Sequence, residues 1–203
     1  MKVAVVGAGR IAGTLGKKWC RADQDVHFGV RSPQKPEVQD LVKSLRPNAS
    51  VSSIPDAIAW GDIVVFAIPG AAMKETITAN VRALDGKIII DATNNLGAPS
   101  MNNQATFATQ TPHAKVYRAF NNYGWDIFEN PTFRSVAADL FYCGPDGEER
   151  SKVEKLILDV GLNPVFLGGP DSVDIVDSVL KMWFTLVSGR KMGRNIAFKL
   201  LTR

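Results

Sequence analysis

The sequence predicts a doubly wound α/β fold, and three observations lead there. The stretch Val3 to Gly16, VAVVGAGRIAGTLG, reads as a short β-branched strand, a glycine-rich turn and a helix. Strand and helix signals then alternate as far as Thr93. The strands, as in DIVVFAIP and KIIIDAT, are continuous apolar runs rather than alternating ones. Such runs belong to parallel sheets covered by helices on both faces, and right-handed crossovers then give a doubly wound sheet.

The elements are expected in the following order. Val3–Val6 is a strand and the following helix runs to about Arg21. Val26–Val30 is the second strand. Pro36 opens a helix to about Leu45, with Val38, Leu41, Val42 and Leu45 at helical spacing. Ala49–Ser53 is a short third strand and Pro55–Trp60 a short helix. Asp62–Pro69 is a buried strand stopped by proline, Ala71–Leu84 a helix, and Lys87–Thr93 another buried strand. Weaker strand signals cover Lys115–Phe120, Ala137–Cys143 and Asn163–Gly168, with a helix over Asp146–Val160. After Pro170 the pattern is wholly helical. Ile175, Val176, Val179, Met182, Trp183, Leu186 and Val187 form an apolar stripe, and Gly189 and Gly193 interrupt it before Ile196–Leu201.

The 203 residues suffice for one domain with a small appendage, divided here as 1–169 and a helical segment 170–203. An apolar content of 45% and a charged content of 22% are ordinary for a folded soluble protein. The net charge of +4 is dispersed. Its densest cluster, Arg190, Lys191 and Arg194, reads as a solvated helix face rather than a nucleic-acid contact. No apolar run approaches the roughly 18 residues that span a bilayer. The chain starts directly in a strand, so a cytoplasmic protein is expected. Cys20 and Cys143 lack metal or redox spacing and read as reduced thiols. His27 and His113 are the only histidines, which excludes a histidine-rich metal site, and no metal is expected.

Gly7-x-Gly9-x-x-Ala12 lies between a strand and a helix, the setting in which such a turn binds a dinucleotide. Gly7 permits the tight turn, Gly9 the approach of a pyrophosphate, and Ala12 close packing of helix on strand, as in a Rossmann fold. The second strand ends in GVRSPQK, with no acid to accept from ribose hydroxyls. Arg31 can pair with a 2′-phosphate and Ser32 can donate to it, with Lys35 nearby, so the expected cofactor is NADP(H). Further strand ends should face the same crevice: Ala67, Ile68 and Pro69; Asn94 in DATNN; and Asn121 in AFNNYGW.

These segments, with KVYRAFNNYGW and FYCGPDGEERSKVEKLILDVGLNPVFLG, resemble in order the NADP oxidoreductase, coenzyme F420-dependent family. The resemblance reaches about Gly169 and continues more loosely through the terminal segment. It implies one Rossmann domain with a small C-terminal helical part, often dimeric, so a homodimer is expected. It also implies that the backbone of Ala8, Gly9, Arg10 and Ile11 holds the pyrophosphate. Arg31 matches the family's arginine at the 2′-phosphate, Val30 stands where the family has serine, and Lys35 falls at a later lysine. Ala67, Ile68 and Pro69 would pass the nicotinamide ribose, and Phe120 and Asn121 match the family's Phe-Asn. The family's second substrate is the deazaflavin F420; a flavin is the related possibility.

Hydride transfer between two ring cofactors needs proximity and exclusion of water rather than a side-chain acid or base. No catalytic residue is therefore assigned. A reductase of a small C=O or C=N substrate would need a proton donor, for which Tyr123, His113 and Lys181 are the candidates. Each reads more simply as structural: a half-buried ring, a loop residue and a helix surface charge. Cys143 has no basic neighbour in sequence and reads as a buried thiol. Met182, Trp183 and Phe184 suggest a dimer interface. A non-catalytic NADP(H) sensor is the third reading.

Overall fold

The computed structural model describes residues 1–203. Six strands form a parallel sheet: β1 (Lys2–Val6), β2 (Asp25–Gly29), β3 (Ala49–Ser52), β4 (Ile63–Phe66), β5 (Ile88–Asp91) and β6 (Lys115–Arg118). Their spatial order is β3-β2-β1-β4-β5-β6. Val5 lies beside Phe28 on one side and Val65 on the other. The chain winds outward from β1 to β3 and then crosses to β4, so the carboxyl ends of β1 and β4 flank the switch point where such sheets bind ligands.

Both faces of the central strands β1, β4 and β5 are buried, which is why they carry no polar alternation. Val3 and Val5 face a core that includes α1 (Arg10–Arg21), whose Trp19 is fully buried. Ala4 and Val6 face a second core with residues of α3 (Ile54–Trp60) and α4 (Met73–Ala79). Between these lies α2 (Pro36–Ser44), on the first face. Burying a side chain as large as Trp19 or Phe28 stabilises the fold by about 2–3 kcal/mol. Trp19 Nε1 also donates to Leu156 O at 3.0 Å, leaving no unpaired polar atom on the ring.

Three expectations are corrected. The helix expected over Ala71–Leu84 is divided into a 3₁₀ turn (Gly70–Ala72), α4, and α5 (Val81–Leu84). Asn80 breaks it: its side-chain amide donates to the Thr76 carbonyl at 2.8 Å, taking the acceptor that a continuing helix would use. The segments around α6 (Gln104–Gln110) and α7 (Trp125–Glu129) are helical without having been foreseen. After the hairpin β7 (Thr132–Phe133) and β8 (Val136–Ala137), β9 (Asp139–Tyr142) does not join the main sheet through a ladder. It pairs in parallel with β10 (Asn163–Phe166), which follows α8 (Arg150–Val160). One antiparallel bridge, Arg118 to Cys143, connects it to β6.

The third correction concerns the C-terminus. The helix α9 (Val173–Phe184) forms as expected and ends in a π-helical turn, Thr185–Gly189. The expected helix at Ile196–Leu201 is absent. This tail instead binds back onto β9: Asp139 N donates to Phe198 O at 3.0 Å and Leu200 N to Asp139 Oδ2 at 2.5 Å. Trp183, expected at an interface, is buried beneath it and donates to Ile196 O at 2.8 Å. Arg194 lies 5.4 Å from the Trp183 ring and pairs with Asp126. Ile175 and Met182 from the expected stripe face solvent, while Val176, Asp177 and Leu180 face the core.

Candidate functional site

The glycine turn sits at the switch point. Gly7 has φ +118°, and a Cβ there would lie 2.6 Å from the Ala67 carbonyl oxygen. The β1 turn and the β4 end, with Ile68 and Pro69 following, thus touch backbone to backbone. Gly9 precedes α1, and a Cβ on it would meet nothing within 4 Å. Open space therefore lies where a pyrophosphate would rest. Gly13 is the first α1 residue whose amide has an intrahelical partner, Gly9 O at 2.8 Å. The N–H groups of Arg10, Ile11 and Ala12 have no such partner, no side chain caps the helix, and its first turn carries no acid. That leaves a concentration of donors and a positive dipole end suited to an anion.

Ala8 and Gly9 share a cavity of about 530 Å³ with Val30, Arg31, Ser32, Lys35, Glu37 and Val38. Arg31 has no ion-pair partner in the chain. Glu37 is the one acid of this cavity; it stands 3.9 Å from Lys35, both well exposed, a weak pair that leaves Arg31 free. Arg10 lies at the other side of the turn, its guanidinium 5.4 Å from the centre of the Trp125 ring.

The asparagines behave differently from expectation. Asn121 is fully buried, donating to Asp177 Oδ1 at 3.1 Å. Asn94 donates to Asn121 O at 3.0 Å and accepts from Arg118 Nη2 at 2.8 Å. Both side chains serve a buried network at the carboxyl ends of β5 and β6. At its centre is Arg118, paired with Asp177 at 2.7 Å and Asp91 at 3.4 Å and bonded to the Asp91 and Thr93 carbonyls. Asn102 donates to Asp177 Oδ2, and Asn103 and Thr93 donate to Asp91. The sequence carried a sign of this: Arg118 and Asp91 end apolar strands, and Asp177 interrupts the apolar stripe of α9.

Of the proton-donor candidates, Tyr123 is committed to structure. Its hydroxyl donates to Asp139 O at 2.8 Å and accepts from Phe198 N, and burial pushes its pKa far up. His113 is exposed and bonds Asp85 at 2.8 Å, before β6 begins and hence at the amino end of the sheet. Lys181 lines a cavity of about 680 Å³ with Leu96, Met101, Asp174 and Asp177, beside the loop that follows Asn94. Cys143 is buried, and burial raises its thiol to about 12.

Residues 2–95 match the model of the NADP oxidoreductase, coenzyme F420-dependent family. A curated relative, glycerol-3-phosphate dehydrogenase [NAD(P)+] of Chlorobium chlorochromatii, is 29% identical over 102 residues. That match takes in 45% of this chain and 31% of the enzyme, so it spans under a third of the relative's length. Among solved structures, a protein proposed to be an F420-dependent NADP reductase from Arthrobacter sp. FB24 superposes with TM-score 0.84 at 21% identity, each chain covered in full. An imine reductase from Aspergillus terreus in complex with NADPH4 and dibenz[c,e]azepine gives TM-score 0.70 at 21% identity, covering 93% of this chain and 63% of that one. These likenesses establish the fold. No helix is long and apolar enough to cross a membrane.

Proposed function

We propose that this chain belongs with the coenzyme F420-dependent NADP oxidoreductases and is an NADP(H)-dependent oxidoreductase that exchanges hydride with a second ring cofactor, the deazaflavin F420 or a flavin. The observation that carries the reading is the cavity in which Arg31, Ser32 and Lys35 face the glycine turn. NADPH, when bound, supplies the hydride. The free amides at the start of α1 hold the pyrophosphate and Arg31 the 2′-phosphate, with Ser32 donating and Lys35 adding charge. Ala67, Ile68 and Pro69 pass the nicotinamide ribose, and the acceptor enters the cavity of Leu96, Met101 and Lys181. Asn94 and Asn121 act indirectly, by fixing that loop through Arg118. The exposed Ile175 and Met182, two turns apart on α9, form the contact of a homodimer in the cytoplasm.

One observation favours a second reading, reduction of a small C=O or C=N substrate: Lys181 lies in the acceptor cavity, unpaired with any carboxylate. Anaerobic mixing with NADPH and, separately, F420, FMN and FAD discriminates the two. Bleaching of one ring's visible absorbance is the expected result. Absence of bleaching with NADPH bound, together with NADPH oxidation by a ketone or cyclic imine that Lys181→Met abolishes, would replace the first reading by the second.

A further inference from the structure

A cleft of about 920 Å³ shares Ala8 and Gly9 with the Arg31 cavity and runs away from it along α1. It starts at Ala8 and Gly9 and follows one stripe of α1, through Lys17, to Arg21, where Arg46 and Asn48 close it. Arg10 and Arg21 are separated by about 16 Å along the helix axis at 1.5 Å per residue. Dinucleotides bind outside the carboxyl ends of the strands. Arg21 ends α1 at the opposite, amino end of the sheet, so the cofactor leaves this part of the cleft unexplained.

The lining is one-sided in charge. Arg10, Lys17, Arg21 and Arg46 face a single carboxylate, Glu129. Glu129 stands 4.0 Å from Lys17, and neither Arg21 nor Arg46 has an acidic partner. Leu41 and Leu45 supply an apolar wall from α2 and its C-terminal end. The cleft's volume falls within the roughly 300–1,000 Å³ of small-molecule sites.

We propose that this cleft binds a small organic oligophosphate, with Arg21 and Arg46 holding one end and Lys17 the middle. Guanidinium groups present paired donors that match phosphate oxygens, and two of them without carboxylates in one concavity make an anion site. Arg10, 5.4 Å from the Trp125 ring, lines the end of the cleft that shares Ala8 and Gly9 with the glycine turn, so a ligand held at Arg21 and Arg46 occupies the other end, along α1 from the pyrophosphate. The proposal goes beyond the NADP(H) reading and does not depend on it.

The test is calorimetric titration of inorganic tripolyphosphate into the NADPH-saturated protein at low salt. One class of site is expected. Arg21→Glu with Arg46→Glu should weaken tripolyphosphate by about tenfold or more, while NADPH affinity stays within about twofold. The milder pair Arg21→Gln with Arg46→Gln should show a smaller loss of the same kind. No binding, many equivalent weak sites, or binding indifferent to both pairs overturns the proposal. If NADPH itself fails to bind, the same titration on the free protein still reads the cleft, so the two failures are distinct.

Discussion

Arg118 and Asp177 meet in the interior at 2.7 Å, each no more than 4% exposed. Arg118 ends β6 and Asp177 lies in α9, so the pair fastens the C-terminal helix to the carboxyl end of the sheet. Asp91 and Asn94 bond the same guanidinium, and through them the packing of α9 fixes the loop beside the proposed acceptor cavity. A buried arginine facing two carboxylates, each also accepting neutral donors, is a network in which every charge has a partner.

Removing one carboxylate from this network should be costly. Asp177→Ala leaves Arg118 with Asp91 alone and strands Asn102 and Asn121, an expected loss of about 3 kcal/mol. For a chain of this size that lowers Tm by roughly 10 °C in a thermal melt. An unchanged melting temperature would show that the pair does not fasten α9.

Gly7 and Gly9 should separate folding from cofactor binding. Gly7→Ala forces a Cβ against the Ala67 oxygen at positive φ, and should destabilise the fold by several kcal/mol. Gly9→Ala meets open space at φ −74° and should cost at most about 1 kcal/mol, as a change of N-cap. It should nonetheless weaken NADPH binding by about tenfold or more, because the methyl group enters the pyrophosphate space. Thermal melts with and without NADPH measure both effects.

The two thiols should be silent in the native protein. Burial raises Cys20 to about 11 and Cys143 to about 12. At pH 8 neither should react with a disulfide reagent until the chain unfolds. Since the folded state keeps these protons longer than the unfolded chain, stability is fully present below pH 9 and falls as pH rises through 11 to 12. Alkaline unfolding followed by circular dichroism should show that decline, and Cys143→Ser should reduce its steepness. Rapid native labelling of either thiol would contradict the assignment.

The sheet was legible because its central strands β1, β4 and β5 are contiguous apolar or β-branched runs bounded by turns. The glycine turn was legible because its spacing has a backbone cause. The split at Asn80 was not, since it depends on one amide turning back onto the Thr76 carbonyl. Nor was the tail: Ile196–Leu201 has helical spacing, but Asp139 and Trp183, distant in sequence, bind its backbone in an open conformation. At the site, Arg31 and Ser32 could be read from the end of a strand. Asn94 and Asn121 were read as facing ligand because sequence places them at strand ends without showing that Arg118 and Asp177 claim their side chains.

The central claim, that Arg31 reads a 2′-phosphate, is tested most directly by measuring NADPH and NADH affinities of the native protein and of Arg31→Ala. Losing a charge-assisted pair should cost about 1.5–3 kcal/mol, or roughly 10- to 100-fold, for NADPH. NADH affinity should hold within about twofold, since NADH offers that guanidinium no phosphate. Equal weakening of both cofactors, or of neither, would contradict the account.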